Sequence, residues 1–240
     1  MGVTWRSTHL DMLRGMGTVG TLRSAGVRAG DEVVVPAYGN AEVAQAVVEL
    51  GAIPVFADVD AESYCLDPAA VSDVVTGRTA AVVAVHRFGR RAEAAWMREV
   101  GQRYGLLVVV EDEPGAGPDG VEQRRAHATY LGGKLNGVVT PAPGAGHTYQ
   151  QYVVRVPGNG RPDRDAFARA LRAKGVACKV PVQAPVYRLP GLRRDVFLPQ
   201  TERAVDETLA LPLHAAMTRR ELHRMVGACN ALGGLLQPAF

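Results

Sequence analysis

Between residues 31 and 112, short apolar runs alternate with amphipathic stretches. "DEVVVP" (31–36), "IPVFADV" (53–59), "AAVVAVH" (80–86) and "LLVVVED" (106–112) are rich in valine, and their length predicts buried strands. The intervening "AEVAQAVVELG" (41–51), "DPAAVSDVV" (67–75) and "AEAAWMREVGQRYG" (92–105) carry helical spacing and open on a cap or close on glycine. Strands apolar on both faces and separated by helices predict a parallel sheet with right-handed crossovers. "EPGAGPDG" (113–120) and "PAPGAG" (141–146) then break the pattern. Beyond them "HTYQQYVVRV" (147–156) alternates like a half-exposed strand. "RDAFARALRAKG" (164–175) reads as an amphipathic helix, "VACKVPV" (176–182) as a strand, and "TERAVDETLAL" (201–211) and "TRRELHRMVGACNALGG" (218–234) as further helices. The expected architecture is α/β: a parallel-sheet domain over residues 1–123 and a smaller α+β domain over 124–240.

Composition narrows the function classes. Of 240 residues, 47% are hydrophobic, which supports a packed core. The net charge is +3, and the basic clusters "RFGRR" and "GLRRD" are short, so no nucleic-acid partner is expected. No apolar stretch reaches membrane-spanning length, and "MGVTWRSTHLDMLRGMG" lacks the apolar core of a signal peptide; no membrane partner is expected. Cys65, Cys178 and Cys229 are odd in number and far apart, without metal or disulfide spacing, which suits the cytoplasm. Lysine is scarce: Lys134, Lys174 and Lys179 are the full set.

The order of these pieces resembles the DegT/DnrJ/EryC1/StrS aminotransferases, fold-type I pyridoxal-phosphate enzymes that aminate nucleotide-linked keto sugars. "GDEVVVPAY" (30–38), "GAIPVFADVDAESYCLDPAAV" (51–71), "RTAAVVAVHRFGRRAEAAWM" (78–97) and "YGLLVVVEDEPGAG" (104–117) follow the family's large domain. "VVTPAPGAGHTYQQYVVRV" (138–156), residues 164–192 and residues 198–222 follow its small one. The resemblance implies a shortened parallel-sheet domain of the PLP-transferase, aspartate aminotransferase-like type, with a smaller C-terminal α+β domain. In this family a block carrying the Schiff-base lysine follows the Glu-Asp strand. Here "EDEPGAGPDGVEQRRAHATYL" (111–131) runs directly to the small domain. Without a positioned amine there is no internal aldimine for transamination. Lys134 aligns with a loop before "VVTP" and reads as a surface lysine, the Schiff-base role being its alternative. Gly39-Asn40 stand where a ring would stack on the cofactor, and "LRGMGTV" (13–19) lacks the phosphate-binding turn. Gly115 and Pro185-Val186-Tyr187 depart further. Asp112, the pyridinium partner, and His86 survive, and no bound cofactor is expected.

Under the family's topology Tyr38, Asn40, His86, Asp112 and Glu113 lie at C-terminal strand ends, where parallel sheets open on ligand crevices. Three readings follow. The first is a degenerate homologue in a bacterial secondary-metabolite or amino-sugar pathway, acting as partner subunit or scaffold. It would form a homodimer or a heteromer with a related chain. The second is a PLP-independent enzyme with His86, Asp112 and Glu113 as its acid–base set and Tyr38 and Asn40 binding a small molecule. In its place His86 could be a capping histidine bonded to backbone. The third is transamination through an unrecognised lysine or a partner's lysine. Asp58, Asp60 and His86 hint at a metal, but "DVDAESYCLDP" is shared with a metal-free family, so no metal is expected. Glu113 beside Asp112 needs a cation, a proton or His86 to balance it. The shortened sheet would leave "LLVVVED" at an edge, with Val108 and Val110 buried beneath a partner or beneath residues 1–25, which carry Trp5, Leu10, Met12, Leu13 and Met16.

Overall fold

The computed structural model describes residues 17–39, 41–113, 119–144, 146–157 and 163–233. The four valine-rich runs form β1 (Glu32–Pro36), β2 (Ile53–Ala57), β3 (Thr79–Val85) and β4 (Leu107–Glu111), all parallel, in the spatial order β2-β1-β3-β4. Branched side chains suit this pleated surface, and both faces are buried because helices cover both. On one face α1 (Gly17–Ser24) and α2 (Glu42–Glu49) bring Leu22, Val43 and Val47 against Val33, Val35, Val83 and Val109. On the other, α3 (Pro68–Val74) and α4 (Ala94–Tyr104) bring Val71, Met97 and Val100 against Val34, Val82 and Val108. Local signals set the helix ends. The Asp67 carboxylate accepts the Ala69 N–H ahead of Pro68, and α4 stops at Gly105 in the left-handed conformation.

A second core lies beyond α5 (Val121–Gly132). There β5 (Tyr152–Arg155) pairs antiparallel with β6 (Thr208–Leu211) beneath α6 (Arg164–Ala173) and α8 (Arg219–Gly233). Phe167, Leu171, Leu209 and Met225 fill it. α7 (Pro199–Glu207) leads into β6.

Three sequence expectations are corrected here. "TERAVDETLAL" is not one helix: α7 ends at Glu207 and Thr208–Leu211 turn extended, because pairing with β5 places all four in the core. "VACKVPV" is not a strand, and only Lys179 bridges to Ala210, since Pro181 has no N–H to extend a ladder. Val108 is buried, but Val110 is 42% exposed. Among the described residues β4 is the edge strand, and the α4 layer covers Val108 but leaves Val110 uncovered.

One carboxylate joins the two cores. Asp58, buried just after β2, accepts the Thr201 N–H and hydroxyl at 2.7 Å each and the Gln200 N–H at 2.9 Å. These are orphan donors of the first turn of α7, so a remote side chain caps that helix and favours its positive end. Asp58→Ala leaves these buried donors unsatisfied and should lower stability by about 3 kcal/mol or more, read from denaturant unfolding.

Candidate functional site

The C-terminal ends of β1, β3 and β4 meet the second core at a cluster of aromatic rings. Tyr38, Tyr64 and Phe88 stand with ring centroids 5.6–6.1 Å apart, packed with Val153, Val182 and Ala210. The Tyr38 hydroxyl shares a 2.9 Å hydrogen bond with the Thr208 hydroxyl, and burial pushes its pKa upward. Tyr64 is pushed up to about 12 by burial. Tyr64 and Phe88 both hold positive φ, 60° and 54°, which costs a bulky residue energy that its surroundings must offset.

The neighbour that holds Phe88 is Glu113. Its Oε2 accepts the Phe88 N–H at 2.6 Å, and its Oε1 lies 3.1 Å from Nη1 of Arg87. Arg87 is 5% exposed, and its guanidinium lies 4.9 Å from the Phe88 ring centroid and 5.7 Å from that of Tyr38. Among the described residues its Nε has no partner. Gly39 makes room for it: at φ +136°, a Cβ there would sit 2.9 Å from the Arg87 Cζ. The cation that balances Glu113 is therefore Arg87, one residue past His86.

The three carboxylates that end β4 go to different partners. Glu111 accepts a 2.5 Å hydrogen bond from the Thr18 hydroxyl at the start of α1. Asp112 projects outward, its side chain 81% exposed, with Oδ1 3.9 Å from His86 Nε2, too far for a hydrogen bond. Glu113 turns inward to Arg87. His86 is anchored from its other nitrogen: Nδ1 accepts the Ala92 N–H at 3.0 Å. A backbone amide can only donate, so Nδ1 is unprotonated and the ring's proton sits on Nε2. Burial lowers the His86 pKa, with Asp112 opposing. The structure thus brings His86 beside Asp112, separates both from Glu113, and buries Tyr38. Asn40 lies outside the described residues.

Two openings flank this cluster. A small one of about 80 Å³ is lined by Tyr38, Val85, Arg87, Glu111 and Asp112. A roomier cleft of about 590 Å³ lies between the loops after β2 and β3 and Gly144, Gly146 and His147, with Asp60, Cys65, Arg90, Arg91 and Trp96 on its wall. Gly89, at φ +90°, lets these loops close: a Cβ there would meet Thr148 Oγ1 at 2.4 Å. Burial and the nearby Arg90 hold the His147 pKa down at about 4, while Nδ1 accepts the Tyr149 N–H. Among the described residues no group of His, Cys, Asp and Glu is arranged to hold a metal ion. Asp58, considered above with Asp60 and His86, is committed to Thr201 and Gln200.

Arg87 was not among the candidates read from the sequence, where "RFGRR" counted only as a short basic cluster. The signal was the unbalanced Glu113 together with a glycine at position 39. Arg87→Met should cost about 3–5 kcal/mol by leaving Glu113 buried and unpaired, and adding Glu113→Gln should recover much of that loss in a double-mutant cycle. His147 gives a pH dependence. It is neutral in the fold but protonates near pH 6.5 when unfolded, so stability should fall from about pH 6.5 to about 4. His147→Gln should flatten that slope in thermal melts taken across this range.

Comparison with known proteins agrees with this geometry. The DegT/DnrJ/EryC1/StrS aminotransferase family matches residues 17–125 and 118–230. The L-glutamine:2-deoxy-scyllo-inosose aminotransferase of Streptomyces kanamyceticus is 43% identical over 38% of this chain and 21% of its own length. A putative L-glutamine:3-amino-2,3-dideoxy-scyllo-inosose aminotransferase of Micromonospora echinospora is 27% identical over 71% of this chain and 38% of its own. The matches thus span between about a fifth and two fifths of these relatives. Among solved structures, the aminotransferase TlmJ from Streptoalloteichus hindustanus superposes with a TM-score of 0.80 at 23% identity, covering 92% of this chain and 84% of that one. 3-Amino-5-hydroxybenzoic acid synthase gives 0.77 at 19%, covering 91% and 84%. With the family matching nearly the whole described chain, in the order of its two cores, this protein belongs to the DegT/DnrJ/EryC1/StrS aminotransferase family.

Proposed function

We propose that this chain is a degenerate member of its family, without pyridoxal-phosphate chemistry of its own, that serves as a partner subunit or scaffold in a secondary-metabolite or amino-sugar pathway. The observation that carries this reading is the Arg87–Glu113 pair seated at the crevice where the family's cofactor would need room. That crevice measures about 80 Å³. Sites for cofactor-sized molecules run to roughly 300–1,000 Å³. Opening it means moving a buried arginine off a buried glutamate, which is costly.

Charge argues the same way. Glu111 and Asp112 line the crevice, and a phosphate dianion there would meet like charge. The start of α1, where the resemblance would put the cofactor phosphate, already faces Glu111 through Thr18. Lys134, Lys174 and Lys179 are all exposed, and none lines the crevice. The residues present do not fit the cofactor. Assignment of the pathway rests on what the relatives are named for, scyllo-inosose aminotransferases, and association with a second chain rests on membership of the family. In this reading residues 1–123 are the shortened large domain and 124–240 the small one.

The acid–base reading draws less support from the geometry. His86 has one nitrogen committed to a backbone amide and the other already carrying a proton, so it can donate from Nε2 but cannot take up a proton there. Glu113 is committed to Arg87 and Phe88.

Incubation with pyridoxal phosphate, borohydride reduction and peptide mass mapping should yield no site-specific pyridoxyl-lysine. Stoichiometric label on Lys134 would overturn the reading.

A further inference from the structure

The cleft between the loops after β2 and β3 takes no part in the functional reading and carries an inference of its own. At about 590 Å³ it falls within the range of small-molecule sites, roughly 300–1,000 Å³. Two opposite charges face it. Asp60, half-buried after β2, accepts at Oδ1 the Ser63 N–H at 2.7 Å and the Glu62 N–H at 3.2 Å. Burial pushes its pKa up, but these bonds and the nearby Arg90 outweigh burial and hold it below the ordinary value, so Asp60 is an anion at neutral pH. Arg90, half-buried after β3, donates from Nη2 to the Ala142 C=O. A guanidinium stays charged throughout the physiological range.

The two charges share the cleft without joining. Among the described residues Arg90 forms no ion pair, and its guanidinium bonds Ala142 alone. Its Nη1 faces Gly144, where a Cβ would stand 4.0 Å away, and at Gly146 a Cβ would meet nothing within 4 Å. The wall on that side is therefore bare backbone, which leaves the guanidinium fork accessible. Opposite charges held apart in one cleft can be bridged by a zwitterion, with its carboxylate on the fork and its ammonium on the aspartate.

We propose that this cleft binds a free aromatic α-amino acid, its carboxylate on Arg90, its ammonium on Asp60 and its ring against Trp96. The remaining wall selects the side chain. Trp96, Leu66 and Pro68 offer an apolar surface, and a flat ring gains both burial and ring contact there. Glu62 and Glu93 are exposed carboxylates on the rim, so an acidic side chain would meet like charge. A phosphate monoester fits less well, because its second negative charge would approach Asp60 and leave that carboxylate unmatched. Arg91, also on the rim, is exposed and solvated.

The test is calorimetric titration of the intact chain with L-phenylalanine, 3-phenylpropanoate and 2-phenylethylamine. L-Phenylalanine should saturate one site. Each of the other two lacks one of the charges and should bind about tenfold more weakly or worse. The Trp96 indole signal in NMR spectra, assigned with Trp96→Phe, should shift as the site fills. Arg90→Gln should weaken L-phenylalanine about tenfold or more, and so should Asp60→Asn, which keeps an acceptor for the turn amides. No saturation up to about 10 mM overturns the proposal. Equal binding of the three ligands does so too, as does affinity that survives either substitution or saturation without a Trp96 shift. Should a variant unfold, the three ligands and the Trp96 signal of the unaltered chain decide alone.

Discussion

A buried arginine has to find a carboxylate, and here that requirement organises the junction of the two cores. Arg87 and Glu113 come from the ends of adjacent strands, β3 and β4. Glu113 also accepts the amide of Phe88, which lets that residue keep a left-handed backbone. The guanidinium lies over Phe88 and Tyr38, whose cluster packs on β5, β6 and α7. Gly39 has no side chain because the guanidinium takes its space. Position 39, the aromatic cluster and the inward turn of Glu113 are consequences of one ion pair. Removing either partner alone leaves a charge that low-dielectric surroundings cannot solvate.

The family fold itself does not hang on this pair. The sheet order, the crossovers and the second core depend on apolar faces distant from the strand ends, so altering the ends leaves them intact. At the ends, Arg87 pairs with Glu113, which also accepts the Phe88 amide. Each of Glu111 and Glu113 is matched to a donor, and Asp112 is solvated. A site whose charged groups are matched internally has little left to offer an anionic cofactor. The 590 Å³ cleft on the neighbouring loops is a separate opening, mixed in charge, with Trp96 as its aromatic wall.

Much of the fold was legible because the valine runs are short, continuous and separated by helices with clear ends. The elements that were misread are those in which tertiary pairing overrode local pattern. Glu207–Leu211 continue a helical spacing in sequence, yet Thr208 to Leu211 are drawn into β6 by β5. Val110 shares the texture of its strand, but its exposure depends on where the covering helix stops, which no local pattern encodes. At the site, the sequence pointed to the strand ends and to a missing balance for Glu113. It did not reveal which cation supplies that balance, because burial of Arg87 depends on the space left by Gly39. Asn40 and the apolar residues before Gly17 lie outside the described residues.

The central proposal is that the Arg87–Glu113 pair leaves no room for a cofactor in the crevice beside it. Calorimetric titration with pyridoxamine 5′-phosphate tests it most directly, because that ligand has no aldehyde and binds, if at all, through the crevice and not through a lysine. The account predicts no saturable heat up to millimolar ligand. A stoichiometric site with micromolar affinity would contradict it.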